Sequence, residues 1–205
     1  MEPIILASAS ARRQELLAQI GISFTVRSQD IDESIGSAEL AEDYVMRMAM
    51  EKAMSALRQL AGSQGGDDTL VLAADTSVVC DADVLGKPSS ESDALEMLLR
   101  LSGRAHRVLS AVMLATKNKQ AAQLSESRVT FREISLAEAR RYYASGEPEG
   151  KAGSYAIQGY GAVFVKQLHG SYSGVMGLPL FETAQLLAEF GVSGQPPIPV
   201  SYTHL

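Results

Sequence analysis

Unbroken apolar runs alternate along this chain with longer stretches in which apolar residues recur every three or four positions, the respective rhythms of buried strands and of helices. Residues 3–7 predict a short buried strand, and Ser8-Ala9-Ser10 a turn after it. Ser10 is placed to cap a helix over 11–20, whose Leu16, Leu17 and Ile20 share one face and which Gly21 ends. A second strand over 24–26 runs into the acidic loop Asp30-Ile31-Asp32-Glu33. From 38 to 60, Leu40, Tyr44, Val45, Met48, Ala49, Leu57 and Leu60 keep helical spacing, and residues 62–68 form a polar, glycine-rich connection expected to be locally disordered. The run Leu70-Val71-Leu72-Ala73-Ala74 is apolar throughout, as in a central strand covered on both faces. It is predicted to end at Asp75-Thr76, resume at Val78-Val79 and turn at 81–83.

The second half continues the alternation. A helix is predicted from Ser90 to Leu101, stopped by Gly103, then strands over 108–115 and 127–131 with Lys117-Asn118-Lys119 as their polar turn. Ser135-Leu136-Ala137-Glu138 is a capping-box pattern opening a helix that reaches Ala144. A glycine-rich segment, a strand over 162–168 and a helix over 179–190 follow. The alternation predicts an α/β fold with a mixed, twisted central sheet flanked by helices. Residues 1–194 read as one domain. Residues 195–205 begin with a proline-rich stretch and read as an extended, disordered tail.

Composition narrows the partners. With 205 residues, 46% hydrophobic and 20% charged, the chain is ordinary globular material able to bury a substantial core. Its net charge of −6 disfavours broad attraction to nucleic acid or an anionic membrane, and 6% aromatic residues leave few platforms for stacking single strands. A polyanionic ligand would need a local cluster of cations or a metal. The lone Cys80 allows no internal disulfide and fits a reducing compartment. No apolar run approaches the ~20 residues of a membrane span, and the first residues lack the basic and apolar regions of a signal peptide. These features predict a soluble cytoplasmic protein.

Candidate chemistry gathers at six places. Arg12 and Arg13 follow the first strand at a helix start, where fixed cations and backbone N–H groups can address phosphate together; an isolated Arg-Arg is as readily a surface pair. Asp75, closing an apolar strand, is either its polar stop or a catalytic carboxylate at the edge of an open sheet. Glu33, with Asp30 and Asp32, is either part of a solvated turn or a ligand for a hard cation. Lys52, within the long helix, and Lys87, in the turn Leu85-Gly86-Lys87-Pro88, are surface lysines or phosphate contacts. In Gly150-Lys151-Ala152-Gly153-Ser154-Tyr155-Ala156-Ile157-Gln158-Gly159-Tyr160-Gly161, the glycines would let backbone N–H groups approach a ligand, and the Gln158 amide offers a donor and an acceptor to a base edge. His106, His169 and His204 show no metal-ligand spacing.

Taken together, Ser8-Ala9-Ser10-Ala11-Arg12-Arg13, Ala74-Asp75-Thr76 and the glycine segment closely resemble the Maf family of nucleoside triphosphate pyrophosphatases, over about residues 4–190. Ala11 stands where the family carries proline. The resemblance implies an inosine-triphosphatase-like fold with the ligand cleft between two lobes, and cleavage of a triphosphate between its α and β phosphates. It implies Asp75 as general base and, with Glu33, as ligand of Mg2+ or Mn2+, with Lys52 and Lys87 serving catalysis at the phosphates. Ser8, Arg12, Arg13, Thr76 and Gln158 are implied to bind substrate. Tyr155-Ala156-Ile157-Gln158-Gly159, with Arg12 and Thr76, is similar to the branch that hydrolyses dTTP and UTP, a role in keeping the nucleotide pool clean. The family name also suggests a second reading, a nucleotide-binding regulator of septum formation that does not turn over. A small-molecule triphosphate is the implied partner, with no nucleic acid and no membrane, and the resemblance leaves a homodimer open.

Overall fold

The structure, a computed structural model, describes residues 4–61 and 69–194. The polar connection at 62–68 and the proline-rich tail at 195–205 lie outside the described residues, as does Pro3. The elements run β1 (Ile4–Leu6), α1 (Ala11–Gln19), β2 (Phe24–Val26), α2 (Ala41–Leu60), β3 (Val71–Cys80), β4 (Asp83–Leu85), α3 (Glu91–Leu101), β5 (Ala105–Ala115), β6 (Gln120–Phe131), α4 (Leu136–Tyr143), β7 (Val165–His169), α5 (Tyr172–Met176) and α6 (Leu180–Glu189). Two short 3-10 turns, Ala152–Ser154 and Tyr160–Phe164, lie in and after the glycine segment.

The strands form one mixed sheet of order β2-β1-β3-β5-β6-β7, with β4 also paired to β3. β1 is parallel to β2 and β3, and the remaining pairs are antiparallel. The α/β expectation of a mixed sheet flanked by helices holds. α2 lays Val45, Ala49, Ala53 and Ala56 over Val71, Ala73 and Val79 of β3. On the other face, Leu16 and Leu17 of α1 and Leu186 and Leu187 of α6 pack with Leu72 and Ala74. A third cluster joins α3 and α4 to Val129 and Phe131 of β6 and to Tyr155 and Ile157.

Several boundaries differ from the sequence expectation. The break predicted after Ala74 does not occur: β3 runs unbroken through Asp75 and Thr76, because every residue from Val71 to Val79 has a ladder partner on β5. The other edge of β3 explains the polar residues. β1 pairs only up to Leu72 and β4 joins only at Val78, so the edge between them has no strand beside it. The second strand of the β5–β6 hairpin begins at Gln120 rather than 127, since residues 120–126 mix small and polar side chains that carry no clear alternation. α2 begins at Ala41, after Ala38 takes a positive φ of 60°. The strand expected from 162 starts at Val165, after the second 3-10 turn. β4 and α5, three and five residues long, carry too little pattern to be read.

Candidate active site

The gap in the β3 edge opens into a cleft of about 720 Å3. All nine sequence candidates, Ser8, Arg12, Arg13, Glu33, Lys52, Asp75, Thr76, Lys87 and Gln158, line it. Alternation along β3 sends Asp75 towards α2 and Thr76 to the opposite face, and the missing neighbour strand lets both reach one space.

On the α2 side the charges form a chain. Lys52 lies in register with Val45, Met48, Ala49, Ala53 and Ala56 on the buried stripe of the helix and is 8% exposed. An ammonium there requires counter-charge. It donates to Asp75 Oδ1 at 2.7 Å and pairs with Glu33 Oε1 at 2.8 Å. Lys87 Nζ closes the chain on Glu33 Oε2 at 2.9 Å. Partial burial alone would raise the Glu33 carboxyl, but hydrogen bonds and charge from Lys52 and Lys87 outweigh it and hold the group down at about 2. The loop bearing Glu33 is pinned by α2: Tyr44 Oη donates to the Glu33 carbonyl at 2.8 Å and Arg47 Nη2 to the Ser34 carbonyl at 2.9 Å. Burial, then Asp75 and Glu33, push the Tyr44 phenol up to about 12. Asp32 instead folds back on the Ser34 backbone N–H, a local turn.

On the α1 side, Ser10 caps the helix by accepting from the Arg13 N–H. The Arg13 side chain is fixed at three points: Nε donates to the Gly177 carbonyl at 2.8 Å, Nη1 to Ser8 Oγ at 3.2 Å and Nη2 to Thr76 Oγ1 at 3.4 Å. Ser110 Oγ donates to the Gly174 carbonyl at 2.6 Å and lies 2.9 Å from Thr76 Oγ1, so the Thr76 hydroxyl donates to Ser110 Oγ or to the Gly177 carbonyl at 3.4 Å, and in either case its oxygen is left to accept from Arg13. Among the described residues no carboxylate lies within 4.0 Å of the Arg13 guanidinium. Burial lowers its pKa while Asp75 and Glu33 oppose the shift. Arg12, also on the cleft lining, pairs with Glu15. Ser110 and Gly177 have no distinctive sequence setting. Gly177 could have been found as the end of Ser171–Gly177, since Ser171 caps α5 and Gly177 takes a φ of 118° that favours glycine.

Gln158, also on the cleft lining, is half-buried and has no hydrogen-bond partner among the described residues. The glycines around it do not all play the part expected of them. The N–H groups of Gly153, Gly159 and Gly161 are taken by Gly86, Ala156 and Glu147. Gly153 has φ 65°, and a Cβ there would meet Val78 at 2.9 Å. These glycines serve close packing of the segment and its tie to the turn carrying Lys87.

Of the histidines, His106 is buried, with Nε2 2.8 Å from the Tyr155 hydroxyl, and burial lowers it to about 4, so it sits neutral in the core. Cys80 is likewise buried and free. No described helix is long and apolar enough to cross a membrane.

The chain is similar to known proteins over most of its length. The dTTP/UTP pyrophosphatase of Alkalilimnicola ehrlichii is 52% identical over 192 residues, spanning 94% of this chain and 95% of that protein. Those of Methylobacillus flagellatus and Methylococcus capsulatus are 49% and 52% identical, covering 94% and 92% of this chain and 95% and 91% of their own lengths. The solved structure of the Staphylococcus aureus Ham1 protein superposes over 66% of this chain and 73% of that one with a TM-score of 0.44 at 15% identity, too distant to carry an inference. The model of the Maf-like proteins matches residues 3–190, nearly the whole of what surrounds the cleft, and the chain belongs to the Maf family.

Proposed function

We propose that this chain hydrolyses dTTP and UTP to the nucleoside monophosphate and pyrophosphate, with the triphosphate at the Arg13–Lys52–Lys87 end of the cleft and the base at Gln158. The observation that carries the proposal is the pairing, in one cleft, of a half-buried arginine lacking a carboxylate partner with a glutamine amide lacking a hydrogen bond, both among the described residues. The first asks for an anion and the second for a partner with a donor and an acceptor. A pyrimidine nucleoside triphosphate satisfies both, and relatives about half identical over their whole length bear the name of that activity.

Arg13, Lys52 and Lys87 share the cleft with the carboxylates of Glu33 and Asp75, a local cationic excess within a chain of net charge −6. Catalysis of phosphoryl transfer rests mainly on such positioning and charge neutralisation. Lys52 engages Asp75 through Oδ1, and Oδ2 has no partner among the described residues, so Oδ2 is the atom that takes the proton of an attacking water. Glu33 and Asp75 would hold a divalent cation, Mg2+ or Mn2+. No group of three His, Cys, Asp or Glu suited to a metal occurs among the described residues. Two carboxylates beside a phosphate site fit a hard cation shared with the substrate rather than caged by protein. Bound there, the cation supplies further neutralisation of the phosphoryl oxygens.

Pyrophosphate release from dTTP, UTP, CTP and GTP, with Mg2+ or Mn2+ and again in excess EDTA, tests the proposal. Turnover of dTTP and UTP that disappears with EDTA is the expected result. Tight binding without pyrophosphate release would overturn it and favour the regulatory reading.

A further inference from the structure

Gln158 selects a base only if its own backbone is held still, and it sits in a turn in a segment rich in glycine. The turn is closed by the Gly159 N–H on the Ala156 carbonyl at 3.2 Å. What holds it on both sides is a half-buried carboxylate and a buried phenol that do not line the cleft. Glu147 Oε2 accepts from the Tyr160 N–H at 2.8 Å, and Oε1 from the Gly161 N–H at 2.9 Å and from the Tyr142 hydroxyl at 2.7 Å. That hydroxyl in turn accepts from the Ala156 N–H at 3.1 Å. The segment is thus gripped two residues before Gln158 and two residues after it. Gly159 is packed so closely on the Glu147 carboxylate that any Cβ there would collide with it. Tyr142 is anchored in turn: it is 2% exposed and packs edge-on against Phe164 at 5.1 Å. It projects from α4, whose start is fixed by a full capping box at Ser135 and Glu138.

We infer that Glu147 and Tyr142 are positioning residues for base selection, acting through Gln158 without touching the substrate. The inference rests on the proposed hydrolysis of dTTP and UTP. Bonds to a charged acceptor are about twice as strong as neutral ones, so one carboxylate serving three donors can order a turn that glycine leaves loose. Glu147→Gln keeps the shape but turns an N–H2 towards donors, and Tyr142→Phe keeps the ring but removes the shared hydroxyl.

The test is kcat and KM for UTP and GTP on the wild type, on both variants, and on each variant combined with Gln158→Ala, with thermal melts to check folding. Either variant should lower the UTP-to-GTP ratio of kcat/KM by about tenfold, mainly through KM for UTP, with kcat within about threefold. On the Gln158→Ala background the same changes should leave the ratio where it is, because the residue through which they act is gone. A folded variant that keeps the wild-type ratio, or one that lowers it equally with and without Gln158, overturns the inference and leaves the hydrolase reading intact. A wild type that releases pyrophosphate from no triphosphate overturns both.

Discussion

The two parts of the cleft proposed to hold the phosphates and the base are built by opposite means. At the proposed phosphate end, charged side chains are tied to one another across the fold: Lys52 of α2 to Asp75 of β3 and to Glu33 in the loop after β2, and Glu33 to Lys87 in the turn after β4. At the base end, a neutral amide is presented by a turn with no regular structure, and the bonds that hold it are made by its neighbours' backbone rather than by its own side chain. A buried charge such as Lys52 needs counter-charge, so Lys52, Asp75, Glu33 and Lys87 order one another. An uncharged reader can wait with its bonds unmade, at the cost of needing a scaffold behind it. On the proposed function, chemistry and selectivity are thereby separable in this molecule.

The sharpest way to break that separation is Asp75→Asn. Lys52 keeps Glu33 at 2.8 Å as counter-charge, and the β3–β5 ladder is made by backbone, so the fold should survive by circular dichroism. Turnover should fall by roughly 10²-fold or more for every triphosphate alike, the scale of a lost general base. A folded variant with near wild-type kcat would remove Asp75 from the chemistry.

Gln158→Ala probes the other end. It should lower kcat/KM for dTTP and UTP by about 1–3 kcal/mol in transition-state terms and affect GTP much less, because only the matched base loses its partner. An equal loss across dTTP, UTP, CTP and GTP would make Gln158 part of the scaffold.

Smaller is the contribution of Glu33 to stability, apart from its proposed role at the metal. Its folded value is depressed from 4.5 to about 2, so the stabilisation is fully present above about 4.5 and drains away as pH falls towards 2. The melting temperature of wild type should therefore exceed that of Glu33→Gln near neutral pH, and the gap should narrow steadily on acidification below 4.5. A gap independent of pH would mean that the ion pairs to Lys52 and Lys87 are not its source.

The least effect should come from Glu15→Gln. The Arg12–Glu15 pair is one helical turn apart and exposed on both sides, and such pairs contribute about 0.5 kcal/mol or less. A large drop in stability would show that Arg12 is held as firmly as Arg13.

Much of the phosphate end was legible in the sequence because charge is conspicuous there. An aspartate after five apolar residues, two arginines after a capping serine, and a lysine in a Gly-Lys-Pro turn all interrupt a pattern. Lys52 was legible for a further reason that only helical register exposes: it falls among Val45, Met48, Ala49 and Ala53, where a lysine has no business without partners. The Gln158 segment stood out by its glycines, but their use was misread, since three of the N–H groups expected to meet a ligand are spent inside the protein.

By itself the sequence determined the alternation of helices and strands, the family and the set of side chains able to meet a nucleotide, because periodicity, capping and unusual local composition are properties of neighbours along the chain. The tertiary structure alone decided that β1 stops and β4 starts so as to leave the β3 edge open beside Asp75 and Thr76. It alone decided that Ser110 orients Thr76, that Gly177 receives Arg13, and that Glu147 grips the turn around Gln158. Thirty-four residues separate Thr76 from Ser110 and 164 separate Arg13 from Gly177, distances at which a serine or a glycine carries no local mark of the bond it will make. Such contacts are set by which strands pair and how the sheet twists, and those depend on burying the whole core at once.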